Sequence, residues 1–233
     1  MRFLYMLGKA LQNLGLAENR VEAFLREEAK AASGPEKHVW LDVGAHLGET
    51  SFQIAKAHPD LVVYAFEPNL KIAAKRFGIL RNYVLIPMAV ANSDTFCPFY
   101  LNRYDQSSSL LPFDEQGLKN WVGGRMLEIE KEVIVPTVRL DTFLNRMRIT
   151  KVDVLKSDAQ GADFDVVLSA GDRLRDIEKI VLETTITSVQ LYSGAKEKSV
   201  VVGFLDRNGF DLVAAIPQVD GQAEDLIFVR KRE

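Results

Sequence analysis

The spacing of apolar positions changes near residue 38. Before that point Leu4, Leu7, Leu11 and Leu14 recur at i, i+3 and i+4 intervals, which is the signature of one helix face. Gly15 breaks that helix, and Val21, Phe24 and Leu25 mark a second one that stops before Ser33-Gly34-Pro35. From Val39 onward, short unbroken apolar runs alternate with amphipathic segments. Strands are expected at 39–41, 61–66, 83–90, 152–156, 177–182, 210–216 and 226–230. Helices are expected at 50–57, 70–77, 140–147, 164–170 and 199–208. Apolar strands alternating with helices predict an α/β fold, a mostly parallel sheet covered on both faces. The last two strands, joined by a polar connection containing Gly221, read as an antiparallel pair. The expected organisation is an N-terminal helical extension over 1–35 and one domain over 36–233.

Residues 96–139 interrupt the alternation. Short strands at 97–101 and 132–135 flank a polar loop with Ser107-Ser108-Ser109 and Gly123-Gly124. A long insertion of this kind is usually functional, and we read it as a lid or substrate wall. The N-terminal extension reads as a cap on the core or a dimer contact, with a membrane-surface helix as the alternative that its few basic residues disfavour.

Composition narrows the choice of partner. The chain has 233 residues, 47% of them hydrophobic and 26% charged, with a net charge of −3. That is enough apolar material for a full core. Lys and Arg are dispersed, and no Asn/Asp-Pro-Pro-Tyr tetrad is present, so nucleic acid is not expected as a partner. The single cysteine, Cys97, excludes an intrachain disulfide framework and a cysteine-rich zinc site and reads as a small buried hydrophobe. The opening residues are too soon interrupted for a signal peptide, and no run reaches the length of a membrane span. A cytoplasmic setting is expected.

The candidate chemistry lies where two strands end. Val39-Trp40-Leu41 runs into Asp42-Val43-Gly44-Ala45-His46-Leu47-Gly48, and Leu61 to Phe66 runs into Glu67-Pro68. Open α/β sheets bind ligands at the carboxyl ends of their strands. Gly44 and Gly48 let backbone approach closely. A carboxylate at the tip of the second strand can accept hydrogen bonds from both ribose hydroxyls, and its charge strengthens them. The helix that follows the glycine loop offers N–H groups to a carboxylate, and Asp42 can meet an ammonium. A dinucleotide site would carry Gly-x-Gly-x-x-Gly for its pyrophosphate, and that motif is absent. The pattern therefore points to S-adenosylmethionine.

These motifs, with Met88 to Asp94, Val138 to Asp141, the run Val152-Asp153-Val154-Leu155-Lys156-Ser157-Asp158-Ala159-Gln160-Gly161-Ala162-Asp163, and Glu183, resemble the FkbM-type S-adenosylmethionine-dependent methyltransferases. The resemblance covers residues 38–185. It implies a Rossmann-like, seven-stranded sheet whose last strand is antiparallel. It also implies methyl transfer to a hydroxyl, often on a sugar or natural-product scaffold. His46 stands where that family usually has Asn, and Asp163 where it usually has Glu. The expected cofactor-binding set is Asp42, Gly44, Ala45, His46, Gly48, Glu49, Thr50, Glu67, Pro68, Ala89, Val90, Ser109 and Asp158.

Methyl transfer to a hydroxyl asks the protein to hold the acceptor oxygen and to remove its proton. Asp158 and Glu183, each following a strand, are expected to converge beside the cofactor. Asp158 is the expected base, assisted by Glu183 or Lys156. Other roles stay open. The two acids with Thr184 are the residue types that hold a divalent cation, although no metal is expected. Asp158 can instead contact the cofactor ammonium, and Glu183 can fix loops. A non-catalytic nucleotide-binding protein and a nicotinamide-dependent oxidoreductase are the alternative functions. The expected acceptor is a small molecule or carbohydrate, and a homodimer is compatible with the amphipathic N-terminus.

Overall fold

The computed structural model describes residues 20–32, 37–218 and 221–232. The helix expected around Leu4 to Leu14 lies outside them. The second one is present as α1 (Arg20–Ala31), which buries Val21, Leu25 and Ala29 and pairs Glu28 with Lys179.

Seven strands form the main sheet. In chain order they are β1 (His38–Val43), β2 (Leu61–Phe66), β3 (Tyr83–Ile86), β7 (Val154–Ser157), β8 (Lys179–Thr185), β9 (Phe210–Pro217) and β10 (Ala223–Arg230). Their spatial order is β3-β2-β1-β7-β8-β10-β9. β1 pairs in parallel with both β2 and β7, and β10 runs antiparallel between β8 and β9. The expected Rossmann-like arrangement, with an antiparallel last strand, is present.

Period-2 alternation divides the strand residues between two cores. Leu41, Val43, Leu155, Ile180, Leu182 and Phe228 face one side, where they meet α5 (Leu140–Met147), α6 (Asp163–Leu168) and α7 (Lys198–Arg207). Trp40, Val154, Val181 and Ile227 face the other, under α1 and α2 (Ser51–Ala57). Among the described residues no helix is long and apolar enough to cross a membrane.

Two expected elements are shorter than the sequence pattern suggests. The strand expected over 83–90 splits. β3 ends at Ile86, and β4 (Ala89–Val90) leaves the main sheet to pair with β6 (Ile129–Val138). Pro87, which has no N–H to donate to a ladder, sits at the break. The helix expected over 70–77 is the single turn α3 (Leu70–Ala73). Beyond it the chain tightens to i→i+3 bonds from Lys75 and Arg76. There Arg76 lies over the Phe52 ring and donates to the Leu47 carbonyl at 2.7 Å.

The 96–139 insertion is built on β5 (Phe96–Asn102), which pairs antiparallel with β6 and buries Phe99 and Val135. It also carries a 3-10 turn (Asp105–Ser107) and the short helix α4 (Glu115–Asn120), capped by Asp114. Both strands extend further than their apolar runs, β5 by Phe96 and Asn102, and β6 in part because the charged Glu130 and Lys131 lie within it.

Candidate active site

The glycine loop between β1 and α2 turns sharply. Gly44, His46 and Gly48 all have positive φ, at 70°, 48° and 61°. Only glycine takes that conformation without strain, so His46 is held there by its surroundings. The space above the two glycines is filled by protein. A Cβ on Gly44 would lie 2.0 Å from the Asp158 carbonyl oxygen, and one on Gly48 would lie 2.2 Å from the Tyr83 hydroxyl. The close approaches that require these glycines are therefore internal. Gly44 also borders the cleft described below.

Glu67 follows β2 directly, and its main-chain N–H is anchored on the Ile86 carbonyl. It is 6% exposed. One carboxylate oxygen accepts from the Asn69 N–H at 2.7 Å and the other from the His46 N–H at 2.9 Å. Burial raises its pKa, and the two backbone donors work against that rise. Each oxygen keeps a second acceptor direction, so a diol can still be met.

Glu67 opens onto a cleft of about 520 Å³, part of it open to solvent. Its apolar walls come from Val43, Phe66, Val90, Phe99 and Leu110, and its polar groups include His46, Gln106, Asp158 and Gln160. Pro68 and Ala89, both expected in the cofactor set, line it as well. An apolar slot ending in a doubly anchored carboxylate suits an adenosyl group.

Other expected site residues lie outside the lining. Ala45 and Gly48 are buried in the loop. Thr50 precedes α2 and makes no side-chain cap bond. Glu49 holds His46 Nδ1 at 2.9 Å, and Asp105 of the insertion lies 3.4 Å from Nε2. The hydrogen bond that the imidazole donates to Glu49, opposed by burial and assisted by Asp105, raises the His46 pKa. Burial works against ionisation of Glu49, and the imidazole outweighs it, so its pKa is lowered. Ser109 faces the main chain instead, donating to the Gln160 carbonyl at 2.7 Å.

Asp42 is also outside the lining. It is the cross-strand partner of Lys156 and pairs with the lysine ammonium at 2.9 Å. Its second oxygen accepts from Ser51, whose Oγ lies 3.4 Å from the Tyr83 hydroxyl. Burial opposes the charge on Lys156, but the carboxylates of Asp42 and Asp158 prevail and raise its pKa. The ammonium already on Asp42 is the protein's own.

Asp158 follows β7, and its N–H donates to the Val43 carbonyl at 2.9 Å, which sets it beside Gly44 at the mouth of the cleft. Asp163, read from sequence as an early helix charge, is buried. It accepts from Ser157 Oγ at 2.5 Å and the Ala159 N–H at 2.9 Å, bracing the same turn. Burial pushes it up to about 6.

Glu183 lies within β8 rather than beyond it, and it does not line the cleft. Its oxygen accepts from Gln218 at 2.7 Å. Its pKa rises well above the usual carboxylate range through burial, with Asp158, Asp225 and Asp163 nearby. Asp225, the direct cross-strand partner of Glu183, was not singled out from sequence because its apolar run starts one residue later. Burial and the neighbouring Asp158 push Asp225 up to about 6. Strand alternation places Thr184 on the opposite face from Glu183, so these residues do not form one ligand set.

A family model described as the methyltransferase FkbM domain matches residues 42–212. The chain is 24% identical over 191 residues to the 2-O-methyltransferase NoeI of Sinorhizobium fredii, an alignment covering 77% of this chain and 75% of that one. It is 26% identical over 203 residues to the AMB antimetabolite synthetase AmbE of Pseudomonas aeruginosa, covering 73% of this chain and 10% of that much longer one. Among solved structures, a TehB-like SAM-dependent methyltransferase from Corynebacterium glutamicum superposes with a TM-score of 0.46 at 10% identity, covering 99% of each chain.

Proposed function

The chain belongs to the FkbM methyltransferase family, and from that premise we propose that it methylates a hydroxyl of a small molecule or sugar with Asp158 as the proton acceptor. The cofactor is S-adenosylmethionine, which when bound supplies an electrophilic methyl group on a sulfonium. Glu67 is the group for its ribose hydroxyls, and the apolar walls around Val90 and Phe99 suit its adenine. A chain similar in sequence, the 2-O-methyltransferase from Sinorhizobium fredii, supports a hydroxyl as the acceptor.

The observation that carries the assignment of the base is which acids border the cleft. They are Glu67, Asp105 and Asp158. Glu67 is held by two backbone donors and Asp105 faces His46. Asp158 has one oxygen on the Gln160 amide at 2.6 Å and its other oxygen for the acceptor. A hydroxyl that accepts a methyl group has to give up its proton, and Asp158 would take it. Lys156 places a positive charge beside that carboxylate. Glu183, set back in the sheet, acts on it only through charge. The 96–139 insertion serves as the lid of this cleft.

Asp158→Asn tests the assignment. Methyl transfer from labelled S-adenosylmethionine to a panel of monosaccharides is expected to fall by about 10²–10⁴-fold, the usual worth of a general base. Affinity for S-adenosylhomocysteine should change little. Equal turnover in variant and parent removes Asp158 from the role.

A further inference from the structure

Two stretches far apart in sequence, one of them continuous with the insertion residues Asp105 to Leu110 that line the cleft, are fastened to each other as a roof over the loop after β7. The Asp114 N–H donates to the Leu191 carbonyl and the Ser193 N–H to the Pro112 carbonyl, both at 2.9 Å. The Phe113 and Tyr192 rings pack with centroids 5.3 Å apart. The joined roof then reaches the loop after β7 at Gln160. Ser109 donates to its main-chain carbonyl, and the Tyr192 hydroxyl lies 2.8 Å from its side-chain Oε1.

The chemistry of these groups fixes the direction of the chain. A carboxylate only accepts, so the Gln160 NH₂ must face Asp158, as it does at 2.6 Å. Its carbonyl oxygen therefore faces Tyr192, whose hydroxyl has to be the donor. That hydroxyl also lies 2.9 Å from the Ser107 carbonyl, so its one proton is shared between roof and floor. The backbone is shaped for this contact. Gln160 sits at φ 54°, a left-handed conformation that a side-chain-bearing residue adopts only under strain. At the neighbouring Gly161 a Cβ would come within 2.8 Å of the Tyr192 Cβ.

We propose that Gln160 is a positioning residue that ties the orientation of the Asp158 carboxylate to the seating of the Tyr192 roof. When the roof is seated, the Tyr192 hydroxyl holds the Gln160 amide and the amide holds Asp158. When the roof lifts, the amide loses one anchor and the carboxylate loses its aim. The proposal rests on the reading of Asp158 as the group beside the transferred methyl.

The test needs no acceptor. Sinefungin is an adenosyl analogue with an amine-bearing carbon where the cofactor has its methyl-bearing sulfonium. S-Adenosylhomocysteine has nothing there. The ratio of their affinities at pH 7, measured by calorimetry on the full chain, reports a carboxylate aimed at the methyl position. Asp158→Asn should lower the preference for sinefungin about tenfold or more. That is the scale of one charge-assisted hydrogen bond. Tyr192→Phe and Gln160→Met should each lower it about 3- to 10-fold while S-adenosylhomocysteine affinity stays within twofold. A ratio unchanged in both variants, or a parallel loss of both affinities, overturns the positioning role even if Asp158→Asn shifts the ratio. A ratio that Asp158→Asn itself leaves unchanged overturns the reading of Asp158 and the proposal with it. Should Gln160→Met not fold, Tyr192→Phe, which keeps the ring against Gly161, decides the matter.

Discussion

Glu67 and Glu183 stand near the same carboxyl edge of one sheet, yet their surroundings are built on opposite principles. Glu67 is served by N–H groups from its own turn and from the glycine loop beside it. Glu183 has one amide donor and is otherwise crowded by Asp158, Asp163 and Asp225. The first arrangement offsets part of the burial that raises the pKa of Glu67 and leaves a carboxylate that accepts hydrogen bonds. The second favours the proton-bound form. In the function proposed above, the half of the edge around β1 and β2 would hold the ligand and the half around β7, β8 and β10 would handle protons.

Lys156 sits where the halves meet, and removing it should produce the largest effect. Lys156→Met leaves Asp42 as an uncompensated charge that is 4% exposed. Loss of one partner of a buried pair costs about 3–5 kcal/mol, and the 22% exposure of the lysine side chain places this case near the lower end. Urea unfolding at pH 7 measures it. A change below roughly 1 kcal/mol, the scale of a surface pair, would mean that the pair does not join the halves.

Asp225→Asn sharpens the contrast from the other side. Folding raises Asp225 to about 6, so between about pH 4 and pH 6 the folded chain keeps a proton that the unfolded chain has released. The stability this group contributes therefore falls as pH rises through that window and remains lowered at pH 7. Asp225→Asn should stabilise the protein by about 1–2 kcal/mol at pH 7 and by almost nothing at pH 4. A variant less stable than the parent at pH 7 would show that the acids are not strained against each other.

Asp105→Ala is expected to have the smallest consequence. It removes one of the two carboxylates on His46, a partly exposed pair worth about 1 kcal/mol or less. Faster amide exchange in residues 105–111 with unchanged global stability is the expected result. Unchanged exchange there would remove His46 from any part in holding the insertion.

The same division decides what could be read from the sequence. The half read as ligand-holding is local: the loop with Gly44 and His46, and Phe66-Glu67-Pro68, each combine a strand end with its own turn, so short-range patterns expose them. The proton-handling half is assembled across the sheet. Glu183 meets Asp225 only because β10 inserts antiparallel between β8 and β9. Gln160 meets Tyr192 only because the 112–114 and 191–193 stretches are bonded together. Neither pairing leaves a trace in local spacing. Strand positions followed from apolar runs, whereas the split at Pro87 and the short α3 were set by a missing donor and by the tertiary contacts of Arg76.

The central claim is that Glu67 holds an adenosyl cofactor in the cleft at the end of β2. Calorimetric titration of S-adenosylhomocysteine and of NAD into the parent and into Glu67→Ala tests it most directly. The expected result is binding of S-adenosylhomocysteine alone, weakened at least about tenfold in the variant, as expected for loss of a charged hydrogen-bonding group worth roughly 1.5–3 kcal/mol. Binding of NAD in preference, or equal affinity for S-adenosylhomocysteine in parent and variant, would contradict it.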